Sequence, residues 1–306
     1  MSALSSHVDD YLRLRRALGY KLERDGCLLP KFVAYVEAAG SPILTSALAI
    51  GWARLPVRAR SNHWAQRLAI ARGFARYMHT IDPATEVPPT GVFPARRHRP
   101  APYLWSEQDI CRLLAAARAL RSPLRAATHE TLFGLLATTG MRIGEAIGLQ
   151  RDDIDLDAGV ITIREAKFDR SRLVPLHPTT RNALRRYLVE RDRLCPRPRS
   201  TAFFVSIAGT ALDRSAVAKT LREITLEMGV RNDTIHPTAH HLRHTFAVQT
   251  LIGWQRCGVR VDEHIAVLST FLGHVAPADT YWYLSASPEL MELAAQRLDD
   301  RFGSRS

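Results

Sequence analysis

The sequence predicts a mainly α-helical, two-domain fold with a small antiparallel β-sheet in the second domain. Apolar residues recur at helical spacing, as Val8 and Leu12 do near the N-terminus. A pair of β-like runs lies at residues 160–163 and 172–176. Residues 88–102 are rich in proline and arginine and cannot form a regular helix, so they divide the chain of 306 residues into two parts.

The first domain is expected to be small and entirely helical. Its apolar spacing predicts helices at residues 4–20, 26–39, 44–54 and 58–80. This domain covers residues 1–87, and an extended basic linker follows at residues 88–104.

The second domain, residues 105–306, is expected to begin with a capped helix. Ser106 is suited to cap a helix N-terminus, and Glu107 follows it in the first turn. The β-like runs then form a hairpin among the helices. Helices are expected at residues 106–119, 125–138, 142–149, 178–194, 213–228, 239–253, 262–271 and 287–299.

Composition favours a polyanionic partner. Lys and Arg number 42 against 30 Asp and Glu, which gives a formal net charge of +12. Such a surplus is expected of a phosphate-binding surface, although basic clusters also keep a surface soluble. Arg96, Arg97 and Arg99 in the linker are candidates for binding nucleic acid.

Cysteine spacing and hydropathy exclude several other classes of protein. Cys27, Cys111, Cys195 and Cys257 are too dispersed for a C-x-x-C motif, so we expect reduced thiols. The sequence has no signal peptide and no apolar run of roughly 18 residues, the length of a membrane span. We therefore expect a soluble, cytoplasmic protein.

Six polar residues stand in contexts that make them candidates for one site. They are Arg142 in TGMRIGEAIGL, Lys167 in ITIREAKFDRSRLVPLHP, His240 and Arg243 in HHLRHTFA, His274 in STFLGH, and Tyr283 in ADTYWYLSASPEL. Two guanidiniums can each bind two phosphate oxygens, stay charged at any working pH and need no metal. A tyrosine phenol can form a covalent intermediate. The set indicates a site that holds a phosphodiester and attacks it with a phenol.

The order Arg, Lys, His-x-x-Arg, His, Tyr resembles the tyrosine recombinase, or phage integrase, family. The resemblance implies that Tyr283 cleaves one DNA strand and leaves a 3′-phosphotyrosine and a free 5′-hydroxyl. It implies that Lys167, at the hairpin tip, protonates the leaving oxygen, while His240 and His274 exchange protons. Tyr281 is a rival nucleophile, and the family spacing selects Tyr283. No cofactor is implied, because the phosphotyrosine conserves the bond energy.

Several of these residues could instead serve in a surface ion pair or a metal site. Arg142 and Glu145 are spaced i, i+3 on an expected helix and could form a surface ion pair, whereas in the family the acidic residue supports the arginine. His240 and His244 are spaced as in zinc proteases. Those enzymes need a glutamate directly after the first histidine, and this chain has His241 there, so we expect no metal.

The resemblance covers about residues 106–300 and assigns roles to the domains. Residues 1–87 are similar to the family's core-binding domain, and the remainder to its catalytic domain. The C-terminal helix at 287–299 packs on its own chain or docks on a neighbouring protomer, and we favour the neighbour. One spacing departs from the family, because Arg243 and His274 are unusually far apart. We expect the extra residues, 253–263, to lengthen a connection between helices.

We expect a site-specific recombinase or integrase of a mobile element or phage, associated with the nucleoid. It would join two double-stranded DNA sites as a homotetramer and exchange strands through a Holliday junction, with or without partner recombinases or accessory proteins. A relaxase similar to type IB topoisomerases is one alternative. A non-cutting DNA-binding accessory protein is another, although such a protein would have no use for Tyr283.

Overall fold

The computed structural model describes residues 3–94, 102–164, 171–274, 278–285, 289–293 and 295–296. The chain divides into two compact units, Met1–Arg99 and Pro100–Ser306. The described residues are mostly helical, with one three-stranded antiparallel sheet, so the predicted fold class is confirmed. Lys167, Arg96, Arg97 and Arg99 lie outside the described residues.

The first unit contains four helices around one apolar core. They are α1 (Ala3–Ala17), α2 (Glu23–Ala38), α3 (Ser46–Arg54) and α4 (Ser61–Ile81). Phe32, Trp52 and Phe74 are almost completely buried in the centre. Thr45 starts α3, because its hydroxyl accepts a hydrogen bond from the amide of Leu48.

The first part of the proline-rich stretch packs on α4. Phe93 is buried in the core of the first unit, with its ring beside that of Trp64. Arg72 donates hydrogen bonds to the carbonyls of Pro88 and Pro89. Residues 88–94 therefore belong to the first compact unit.

The second unit is built around a central, largely buried helix. Its helices are α5 (Glu107–Arg118), α6 (Pro123–Thr139), α7 (Ile143–Gly148), α8 (Pro178–Leu194), α9 (Arg214–Glu227), α10 (Ala239–Arg256), α11 (Val261–Leu272) and α12 (Ala278–Tyr281). Leu132, Phe133 and Leu136 bury α6 among α5, α8 and α10. Ser106 caps α5 as predicted, since its hydroxyl accepts from the amide of Asp109.

The sheet contains β1 (Ile154–Asp155), β2 (Val160–Arg164) and β3 (Ser171–Pro175) in that order. In β2 and β3, Ile161 lies opposite Val174, and both side chains are buried in the core of the second unit. Strand β1 was not predicted, because two residues are too few to show an alternating pattern.

The last helices form a second apolar cluster of this unit. Leu251 of α10 and Ile265 of α11 pack there with Tyr283 and Leu290. Leu290 belongs to the helical residues 289–293, which lie on the cluster of their own chain.

The expectation of a longer connection between α10 and α11 is wrong. Helix α10 continues to Arg256 and α11 begins at Val261, so the extra residues extend a helix. Gly253 does not end α10, and the chain turns at Gly258, whose φ of 74° suits glycine. In the described ranges, each helix is too short or too polar to cross a membrane.

Candidate active site

The structure brings five of the six candidate residues together at the ends of helices. Arg142 directly precedes α7, and His240 and Arg243 lie one turn apart on α10. His274 follows the glycine that ends α11, and Tyr283 lies in a short 3-10 turn after α12. Lys167, the sixth, lies outside the described residues.

Arg243 is fixed between the C-terminal ends of two helices. Its Nη1 donates to the carbonyl of Gly140 at 2.9 Å, directly after α6, and its Nη2 donates to the carbonyl of Leu272 at 2.7 Å, at the end of α11. Helix C-termini carry partial negative charge and leave carbonyls without intrahelical partners. The guanidinium, only 1% exposed, is therefore held by main-chain atoms in the interior.

Arg142 is held by a carboxylate and is more exposed than Arg243. Glu145 accepts from the Arg142 amide at 2.7 Å and from its Nη1 at 2.7 Å. The Nη2 of Arg142 donates to the carbonyl of Gly273 at 2.6 Å. The predicted pairing with Glu145 is present, but Arg142 precedes α7 and does not lie within it. Its side chain is 39% exposed, so this guanidinium reaches the surface.

Tyr283 is packed among the histidines and within reach of Arg243. Its ring centroid lies 6.0 Å from that of His274, in a stacked arrangement, and 5.3 Å from that of His244. Burial raises the pKa of Tyr283, and the charge of Arg243 only partly offsets this. The phenol therefore keeps its proton at neutral pH. Tyr281, the rival nucleophile, is half exposed.

The two candidate histidines are neutral at pH 7. Burial, followed by the charge of Arg243, lowers the pKa of His240. Burial, Arg243 and Arg142 lower the pKa of His274 to about 4. The Nδ1 of His274 lies 2.7 Å from the hydroxyl of the fully buried Thr280. A neutral imidazole has one nitrogen that can accept a proton, so both side chains are candidate proton acceptors.

Residues 105–289 match the phage integrase family. The chain belongs to this family. The family predicted from the order of the six residues is thereby confirmed.

The chain is similar to two curated relatives. It is 43% identical over 314 residues to the putative integrase/recombinase y4rB of Sinorhizobium fredii strain NGR234, and the match covers all of both chains. It is 33% identical over 246 residues to the tyrosine recombinase XerD of Mycobacterium tuberculosis strain H37Rv, covering 78% of this chain and 71% of that one.

A solved structure agrees with the integrase fold. The Tn1549 transposon integrase in complex with transposon right end DNA superposes with a TM-score of 0.65, covering 97% of this chain and 99% of that one. The two sequences are only 16% identical, so this likeness concerns the fold.

Sequence reasoning missed one residue of the candidate site, Arg172 on β3. Its Nη2 and Nη1 donate to the two carboxylate oxygens of Glu145 at 2.7 and 3.2 Å, and its side chain is only 11% exposed. A signal was present, because Arg172 lies opposite the buried Ile163 and two residues before the buried Val174. An arginine on the inward face of a strand needs a buried partner.

The histidines of the candidate site do not form a metal site in the part of the chain that the structure describes. No group of three or more His, Cys, Asp or Glu side chains there could hold a metal ion. The rings of His240 and His244 contact each other edge to face, with centroids 4.4 Å apart. His241 faces the start of its own helix, where its Nδ1 accepts a hydrogen bond from the amide of Thr238.

Proposed function

We propose that this protein is a site-specific tyrosine recombinase that cleaves and rejoins double-stranded DNA through Tyr283. The observation that carries the proposal is the position of the Tyr283 ring, which stacks on the ring of His274 with centroids 6.0 Å apart. The buried guanidinium of Arg243 lies close enough that its charge acts on the phenol. An attacking oxygen, a cation for the phosphate and a proton acceptor are thus within one cluster.

Arg142 and Arg243 stabilise the transition state. Attack on a phosphodiester places additional negative charge on the non-bridging oxygens, and preorganised cations stabilise that charge most effectively in a water-poor site. Arg243 supplies a fixed charge in the interior, and Arg142 supplies a charge that reaches the surface. The scissile phosphate therefore approaches from the side of Arg142.

Tyr283 is the nucleophile. Its oxygen forms a bond to phosphorus while the phenolic proton passes to a neutral imidazole, for which His274 and His240 are the candidates. The bond from phosphorus to the 5′-oxygen breaks, and Lys167 protonates that oxygen. A 3′-phosphotyrosine remains, and a 5′-hydroxyl of another strand later attacks it and releases Tyr283. The bond energy is conserved, so the reaction needs no cofactor.

Recombination assembles several copies of the chain on DNA. Two duplexes present four strands for cleavage, so four protomers form the synapse and the strands pass through a Holliday junction. The first unit and the linker arginines Arg96, Arg97 and Arg99 bind the DNA, consistent with the net charge of +12. The Sinorhizobium relative is a putative integrase/recombinase, and that name is consistent with a mobile-element context.

A suicide-substrate assay tests the proposal. The protein is incubated without metal with nicked duplexes that tile the DNA flanking its own gene, and covalent complexes are sought after denaturation. We expect an adduct between a 3′-phosphate and Tyr283. The variant Tyr283→Phe should bind DNA without forming the adduct, whereas the matched control Tyr281→Phe should form it. Tight binding without an adduct would favour the accessory-protein alternative, and relaxation of supercoiled DNA without strand exchange would favour the topoisomerase-like one.

A further inference from the structure

Three arginines donate hydrogen bonds to the C-terminal end of α11. Its last carbonyls have no partners within the helix and lie at the negative end of the helix dipole. Three successive carbonyls each accept a hydrogen bond from a different guanidinium. The contacts join Arg172 to Phe271 at 3.1 Å, Arg243 to Leu272 at 2.7 Å and Arg142 to Gly273 at 2.6 Å.

Arg172 has a second set of contacts that links it to Arg142. Its guanidinium holds both oxygens of Glu145, the carboxylate that also accepts from the amide and the side chain of Arg142. Burial raises the pKa of Glu145, but the hydrogen bonds from Arg172 and Arg142 more than offset this, so its pKa lies below the ordinary value. The carboxylate is therefore ionised at neutral pH and shared between the two arginines.

The chain leaves room for Arg172 by placing glycine at the end of α11. Gly273 has a φ of 69°, a conformation that other residues rarely adopt. A Cβ there would lie 2.6 Å from Nη1 and 2.7 Å from Cζ of Arg172. The guanidinium thus lies directly against the main chain that leads to His274.

We propose that Arg172 is a positioning residue, which holds Glu145 and the end of α11 in place so that Arg142 and His274 meet the scissile phosphate in fixed positions. The proposal rests on the proposed function. Arg172 acts through these neighbours, because its guanidinium is directed at Glu145 and Phe271 and its side chain is almost buried. It also ties β3, which follows Lys167 in the sequence, to the site.

A double-mutant cycle on cleavage tests this role. Single-turnover adduct formation is measured on the nicked duplex that the wild-type protein cleaves, for Arg172→Gln, Glu145→Gln and the double variant. Losing a residue that orients a catalytic group typically costs about 10 to 100-fold in activity, and we expect this loss from Arg172→Gln. Because both residues act on Arg142, the double variant should be no more than about 3-fold slower than the slower single variant.

Two comparisons separate positioning from general support of the fold. The control Arg151→Gln removes an exposed arginine that holds Asp192 with two hydrogen bonds in the same unit, and it should cleave at the wild-type rate. A methylphosphonate at the scissile position replaces a charged oxygen by a methyl group, which reduces the need for Arg142. The defect of Arg172→Gln should therefore shrink on that substrate. If Arg172→Gln fails to fold, Arg172→Lys replaces it, because a lysine cannot hold two carboxylate oxygens as a guanidinium does.

Failure of the positioning role can be distinguished from failure of the proposed function. Cleavage by a folded Arg172→Gln variant within about 2-fold of wild type would overturn the positioning role, and so would defects that multiply in the double variant and persist on the methylphosphonate. If the wild-type protein itself formed no adduct, the proposed function would fail, and the positioning role with it.

Discussion

Arg243 and Arg142 serve the same candidate site but are held in different ways. Arg243 is buried, and main-chain carbonyls at the ends of two helices accept its hydrogen bonds. Arg142 is partly exposed, and a carboxylate shared with Arg172 holds it. The first arginine is thus part of the packed interior, whereas the second depends on an ionised side chain. One half of the site should be coupled to folding, and the other should be adjustable without unfolding.

Replacing each arginine by methionine is the strongest test of this difference. Arg243→Met leaves two buried carbonyls without donors, and hydrogen bonds to charged groups contribute about 1.5 to 3 kcal/mol each. We expect Arg243→Met to lower the free energy of unfolding by about 3 kcal/mol and Arg142→Met by less than about 1 kcal/mol. Both should slow adduct formation by about 100-fold or more, because each removes a charge that stabilises the transition state.

Urea unfolding and single-turnover cleavage would measure the two effects separately. Equal losses of stability in the two variants would contradict the division between an interior arginine and a surface arginine. A folded Arg243→Met variant that cleaves at the wild-type rate would remove Arg243 from the mechanism altogether.

The main-chain support of Arg243 can be tested at Gly140. Its φ is 59°, and a Cβ there would lie 2.5 Å from Cδ1 of Phe246 and 3.1 Å from Cδ2 of Leu272. Gly140→Ala should therefore displace the carbonyl that holds Arg243 and cost about 1 to 3 kcal/mol of stability, with roughly 10-fold slower cleavage.

Gly134 on the same helix is the matched control. A Cβ at Gly134 would meet Cδ2 of Leu114 at 3.8 Å, which is ordinary contact, and alanine is a better helix former than glycine. Gly134→Ala should be neutral, or stabilising by up to about 1 kcal/mol, in a thermal melt. A Gly140→Ala variant that behaved like this control would show that Arg243 does not depend on the position of that carbonyl.

The residue types of the site could be predicted from local sequence, but the contacts that hold them could not. The periodicity placed α8 at residues 178–194, and the structure has it at Pro178–Leu194. The hydrogen bond of Arg243 to Leu272 joins residues 29 apart in the chain, so only the packing of α10 on α11 creates it. Arg172 is absent from the predicted site, because its partner Glu145 lies 27 residues away in the sequence, although an inward-facing arginine needs a buried partner.

The position of His274 beside Arg243 also predicts that pH has only a small effect on the rate of adduct formation. His274 has a pKa of about 4, because burial and then the charges of Arg243 and Arg142 disfavour its protonated form. An ordinary histidine, with a pKa near ~6.5, would lose about 90% of its neutral form at pH 5.5. Adduct formation should instead change less than about 3-fold between pH 7.5 and 5.5 if His274 acts as the base. A decline in the rate with a midpoint near pH 6.5 would contradict the assignment.

The lowered pKa of His274 also makes the folding stability depend on pH. Between pH 6.5 and 4 the unfolded chain binds a proton at His274 that the folded chain does not, so folding stability should fall as the pH falls through this window. Urea unfolding at several pH values should show a shallower fall for His274→Gln than for wild type, because the variant has no proton to bind at this position. An unchanged pH dependence would mean that burial and the charges of Arg243 and Arg142 do not lower the pKa of His274.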